Sequence, residues 1–300
     1  MRKSILVGLV FVGFLEVGGV NDLTVNAMGD DIVEGYESVF DIIQDEMYVE
    51  KQTEITTESL DINEKEMEIY SDVYEDALEM GYIFEEDGKL IITDDCMNIY
   101  GEDVYDVLFS TVEVLNSMID MEIYQVNAET NEIEINYDVN ANINLENNEF
   151  DISNQTLQIM SRTASSASFL NLGSMVEGNY QRIRSAYQAA LVAGGNAYAG
   201  TVMLWVNLVK TNGAWDYKNY PGFKPYYKRF DCVYGLHNSK RKIKTSEKIG
   251  NYNYGYTGRL LFSLDILLEG SFVVSGFDPK DVATDWSQIR EGFYDCEAIH

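Results

Sequence analysis

Along the first half of the chain, apolar residues alternate between helical and strand spacing. Val33, Tyr36, Phe40 and Ile43 recur three or four residues apart, as do Met67, Tyr70, Tyr74 and Leu78, and each set predicts an amphipathic helix. Gly81 is placed to end the second of these. Tyr82-Ile83-Phe84 and Leu90-Ile91-Ile92 flank Glu85–Lys89, where Asp87-Gly88 is a turn signal, so a β-hairpin is expected. Val104, Leu108, Val112 and Leu115 predict another helix. Alternation in Glu122-Ile123-Tyr124-Gln125-Val126 and in Glu132-Ile133-Glu134-Ile135 predicts a second hairpin. Together these elements make a small α+β module.

Beyond residue 170 the spacing is mostly helical. Met175, Tyr180, Ile183, Tyr187 and Leu191 predict one helix, which Gly194-Gly195 breaks. Ala197–Lys210 follows as a second helix carrying Met203, Trp205, Val206 and Val209. The run from Ala189 to Val209 is apolar enough to raise a membrane span, but Asn196, Asn207 and the glycines favour a buried helical hairpin. Later, Ser263 is a suitable N-cap for a helix with Leu264, Leu267, Leu268 and Phe272 on one face, and Gly276 for its C-cap. Asp278 and Pro279 open a last helix carrying Trp286, Ile289 and Phe293. The expected fold class is α+β, an α+β module followed by a mainly helical C-terminal domain.

Charge sharpens the division. The formal net charge is −29. Asp30–Met160 holds 36 acidic residues against 3 lysines, whereas Ser161–His300 holds 12 acidic against 16 basic. The boundary is expected in the Asn- and Ser-rich stretch near Asn147–Ser165, giving an acidic module over 28–150 and a second domain over 161–300, with its motifs in about 200–296. Residues 1–27 read as a secretory signal peptide: Arg2 and Lys3, the apolar Ile5–Val20, then Val25-Asn26-Ala27 as a small-residue cleavage site. A secreted protein that meets membrane only during export is therefore expected. Three cysteines, Cys96, Cys232 and Cys296, make no disulfide framework. With two histidines, no CxxC and no EF-hand spacing, the sequence calls for no metal and no cofactor.

Two stretches depart from either period. Gly213–Lys218 reads GAWDYK and Gly250–Gly258 reads GNYNYGYTG. The second gathers three tyrosines, two asparagines, a threonine and three glycines into nine residues. Glycines allow close backbone approach, and amides and phenols give directed hydrogen bonds, so a close-fitting polar surface in the connections between helices is expected. The pair Trp215-Asp216-x-Lys218 and Gly250-Asn251-x-x-Tyr254-Gly255-x-Thr257-Gly258, with Asp278-Pro279-x-Asp281 downstream, resembles the polymorphic toxin type 44 family of bacteria. In that family Asn-Phe-His-Tyr is common where this chain has Asn251-Tyr252-Asn253-Tyr254. The resemblance implies a secreted antibacterial effector and, in the producing cell, an immunity protein. It does not settle the reaction.

Three readings follow. For phosphodiester cleavage of nucleic acid, Lys218 is the stabilising cation and Asp216 the base. Asn251 and Thr257 then donate to the reacting oxygen. Tyr252, Tyr254, Gly255 and Gly258 line the substrate, and His237 is a secondary acid or base. For peptidoglycan, Asp216 pairs with Asp278 or Asp281 across a glycosidic bond. In the third, the same tyrosines and amides only hold a glycan or a protein partner.

Overall fold

A computed structural model describes residues 64–136, 167–274 and 279–300. The expected signal peptide, the first predicted helix, the Asn147–Ser165 linker, Gly276 and Asp278 lie outside them. Eight α-helices and seven strands in three small sheets make up the described chain, a mixed α+β fold. It divides into two compact units, one of residues 61–208 with 230–243, the other of residues 209–229 with 244–300 for its described part.

The first unit begins with α1 (Glu64–Glu79), which buries Tyr74 and Ala77. It ends in a Schellman motif: Gly81 takes φ +72°, its N–H reaches Leu78 and that of Tyr82 reaches Ala77, so the last carbonyls are satisfied. β1 (Ile83–Glu86) and β2 (Lys89–Ile92) pair antiparallel from Ile83↔Ile92 to Glu86↔Lys89. Asp87 and Gly88 both have positive φ, as a two-residue turn matched to the strand twist requires. After α2 (Asp95–Tyr100), α3 (Glu102–Asp120) buries Leu108, Val112, Leu115 and Met118. Its Asn116 amide holds β2 by a reciprocal pair, donating to the Leu90 carbonyl at 2.8 Å and accepting from the Leu90 N–H at 2.9 Å. β3 (Tyr124–Val126) and β4 (Ile133–Ile135) form the second expected hairpin.

The same unit continues through β5 (Ser168–Asn171), α4 (Leu172–Val192) and α5 (Ala197–Val209). Helix α4 packs against both α1 and α3. Tyr124 donates to the Asn196 carbonyl at 3.0 Å, and its hydroxyl sits where a Cβ at Gly200 would fall, 2.0 Å away. The step in charge near residue 150 and the step in packing near residue 209 thus fall at different places. The apolar faces of the acidic helices close on α4 as well as on one another. No helix among the described residues is long and apolar enough to cross a membrane; α5 is a buried helix of this unit, as its asparagines suggested. β6 (Arg229–Tyr234) pairs parallel with β5, Leu170 opposite Cys232, and lies between β5 and β7 (Lys240–Thr245). The basic stretch Lys240–Lys244 lies in this last strand, where Arg241 pairs with Asp231 at 2.5 Å.

In the second unit, α6 (Ser246–Gly258), α7 (Leu264–Val274) and α8 (Pro279–Ile299) follow a run of turns over 211–228. Leu267, Leu268, Ile289 and Phe293 are buried there, as their spacing predicts. All three cysteines are buried thiols.

Candidate functional site

The tyrosine- and glycine-rich motif is not a connection; it is helix α6. The Thr245 hydroxyl accepts from the Lys248 N–H at 3.4 Å and caps its start. Glycine in a helix interior costs about 1 kcal/mol relative to alanine. What offsets that cost is contact with α8. A Cβ on Gly255 would lie 2.1 Å from the Ile289 carbonyl oxygen, and one on Gly292 would lie 2.1 Å from that of Tyr252. The two helices meet backbone to backbone, so the glycines do permit close approach, but of a helix and not of a ligand. Tyr252 and Tyr256 are fully buried beside this crossing, with ring centroids 6.1 Å apart. Thr257 is buried and donates to the Asn253 carbonyl of its own helix at 2.8 Å. Gly258 is also buried. Tyr254 donates to the Leu267 carbonyl at 3.3 Å.

A polar seam follows the crossing. The Lys244 ammonium is buried, bonds to Gln288 and to Glu291 at 2.8 Å, and stands 5.0 Å from the Tyr252 ring centroid. The Tyr252 hydroxyl donates to Asp295 at 2.9 Å. Burial, then the Asp295 charge, pushes that phenol well above its ordinary pKa, and burial does the same to Tyr254. At the more open end the Asn251 amide donates to Asp285 at 2.6 Å, and both side chains are half-buried. A carboxylate oriented by an amide at the edge of a seam is the arrangement here best able to take a proton from a bound reactant.

The GAWDYK stretch is a turn. Trp215 and Tyr217 are buried, and the Tyr217 ring meets Phe223 at 4.9 Å. Asp216 is buried as well; its Oδ2 accepts from the Asn212 N–H at 2.9 Å and the Asn219 amide at 2.7 Å. It holds the turn. Lys218 projects from that turn and is exposed.

The sequence-derived candidates thus separate. Lys218, Asp216, Asn251, Thr257, Tyr252, Tyr254, Gly255 and Gly258 all lie in the second unit, and among them Lys218, Asn251 and Tyr254 are not fully buried. His237, exposed at φ +53°, belongs to the first unit. Asp281 is in α8, with nothing described of its side chain, and Asp278 is outside the described residues. Lys244, Asp285, Gln288, Glu291 and Asp295 are not among the residues the sequence singles out. Spacing on α8 is the signal that points to the last four, because 285, 288, 291 and 295 recur three or four residues apart on one helical face. Among the described residues no group of three or more His, Cys, Asp or Glu side chains is gathered to hold a metal ion.

Residues 204–292 match the family model for bacterial toxin 44. The matched stretch takes in both motifs, the turn that carries Lys218 and the Asn251–Asp285 pair. No curated protein and no solved structure matches the chain.

Proposed function

We propose, from the premise that the C-terminal third carries a bacterial toxin 44 domain, that this part is a hydrolase that cleaves the phosphodiester backbone of nucleic acid. The observation that carries the proposal is the run from Lys218 to Arg229. It holds Lys218, Lys224, Lys228 and Arg229 and no carboxylate, in a chain whose net charge is −29. So basic a run inside so acidic a protein suits a polyanionic substrate. In the proposed site Asp285, held by Asn251, takes the proton of the attacking oxygen as that oxygen bonds to phosphorus. Lys218 lies against the phosphate oxygens, and the leaving oxygen departs with a proton from solvent. Glycan hydrolysis draws less support. It asks for two carboxylates facing one bond, and Asp216, one of the pair named for it, is engaged by Asn212 and Asn219.

Export through residues 1–27 places the protein outside the cell that makes it, and the toxin family implies an immunity protein inside that cell. Expression of the full chain without residues 1–27 in a bacterial cytoplasm, beside expression with a periplasmic leader, tests the proposal. Growth arrest with degraded nucleic acid from the cytoplasmic form is expected. Lysis restricted to the periplasmic form would overturn it.

A further inference from the structure

We infer that Tyr226 and Tyr227, set among Lys218, Lys224, Lys228 and Arg229, form a stacking platform for single-stranded nucleic acid, an inference that rests on the nucleic-acid reading above. The two phenol rings are 56% and 62% exposed, and they pack on each other edge to face with centroids 5.2 Å apart. Large aromatic side chains left this open contribute little to a core. A floppy loop would also explain them, but this loop is pinned. The first turn of α6 uses donors that a helix start leaves without intrahelical partners. The Ser246 N–H donates to the Lys228 carbonyl at 3.0 Å, and the Glu247 N–H to the Tyr226 carbonyl at 3.2 Å. The Ser246 hydroxyl holds the Phe223 carbonyl, and the Lys228 ammonium holds that of Gly222. Beneath the loop, Phe223 and Tyr217 are buried as its apolar footing. The backbone is fixed, and the rings that face out are the only tyrosines of the run 217–229 left largely uncovered.

The charges choose the occupant. Lys224 and Arg229, which flank the two tyrosines in sequence, are exposed, as is Lys218. The nearest acids in sequence are Asp216, which is buried in its turn, and Asp231, which is engaged by Arg241; Glu247, at the start of α6, is the acid that borders the loop, against four cations. Rings that stack on bases, within reach of cations that follow the backbone phosphates, are how single strands are held without regard to sequence. A duplex hides its base faces and offers only phosphates to the same surface.

The test is fluorescence anisotropy of the full chain with short labelled strands whose backbones resist hydrolysis, one deoxyribose and one 2′-O-methyl ribose, beside the matched duplex. The platform predicts that Tyr226→Ala with Tyr227→Ala weakens single-strand binding about tenfold or more. The Tyr226→Phe, Tyr227→Phe pair should stay near wild type, and duplex binding should be unaffected by either pair. The two sugar arms tell whether DNA, RNA or both are held. Wild-type affinity of the alanine pair for both strands, or no single-strand binding by the wild type, would overturn the inference. Cleavage of unmodified strands is followed separately. Cleavage that persists with an unchanged KM in the alanine pair removes the platform and leaves the hydrolase proposal standing. Ring-dependent binding with no cleavage does the reverse.

Discussion

Gly250, Gly255 and Gly292 show how one residue type serves two ends. Gly255 and Gly292 stand where any side chain meets the carbonyl oxygen of the opposite helix at 2.1 Å, whereas a Cβ at Gly250 meets nothing within 4 Å. Gly255→Ala and Gly292→Ala are each expected to destabilise by about 1–3 kcal/mol, the usual cost of overpacking. Gly250→Ala should stabilise by up to about 1 kcal/mol, because it only removes a weak helix former. Urea unfolding of the full chain checks all three. A destabilised Gly250→Ala would mean that this face is covered. The glycines were legible in the sequence as a sign of close approach. What approaches was not, because a tight helix crossing and a ligand both exclude a Cβ. The surroundings of Asp216 were not legible either: a carboxylate beside a tryptophan reads as chemistry, and its bonds from Asn212 and Asn219 appear only in the fold.

The α6–α8 seam is where sequence spacing and structure part most. Hydrophobic periodicity placed Ile289 and Phe293 on the buried face of the last helix, and they are buried. It gave no warning that α6 is a helix, since glycine and aromatic residues are poor helix formers and only tertiary contact decides the matter. Nor does a run of lysines reveal which member turns inward. Lys244 is 3% exposed and its partner Glu291 16%, so removing one of them strands the other. Lys244→Ala is expected to cost about 3–5 kcal/mol, and the double change Lys244→Met, Glu291→Leu much less, because a buried pair gains little over apolar packing. Thermal unfolding separates the two. The tyrosines of the seam predict a pH dependence. The folded pKa of Tyr252 lies above its ordinary value of 10.0. Its contribution is therefore complete below about pH 10 and is lost progressively above it, as pH rises toward and through the higher folded pKa. Between pH 9 and pH 11 Tyr252→Phe should lose about 1.4 kcal/mol less stability than the wild type. Equal losses would mean that the phenol ionises as readily in the folded chain.

For the molecule as a whole, charge and packing give different divisions. The acidic composition of residues 28–150 is visible in the sequence, and so are the two hairpins and α1, α3 and α4. That α4 closes on α1 and α3 is not, because an amphipathic face names no partner. A fragment Ser161–His300, the natural cut by charge, lacks both helices that α4 packs against. It is expected to be less soluble and to unfold at lower temperature than the full chain, which circular dichroism of the two proteins would check. The central claim is that Asp285, oriented by Asn251, drives phosphodiester hydrolysis. The most direct measurement is the rate at which the full chain, wild type and Asp285→Asn, cleaves labelled single-stranded RNA and DNA, with thermal unfolding of both to confirm equal folding. The proposal predicts cleavage by the wild type and a loss of about a hundredfold or more in the variant. Undiminished cleavage by a normally folded Asp285→Asn, or no cleavage of either strand by the wild type, would contradict it.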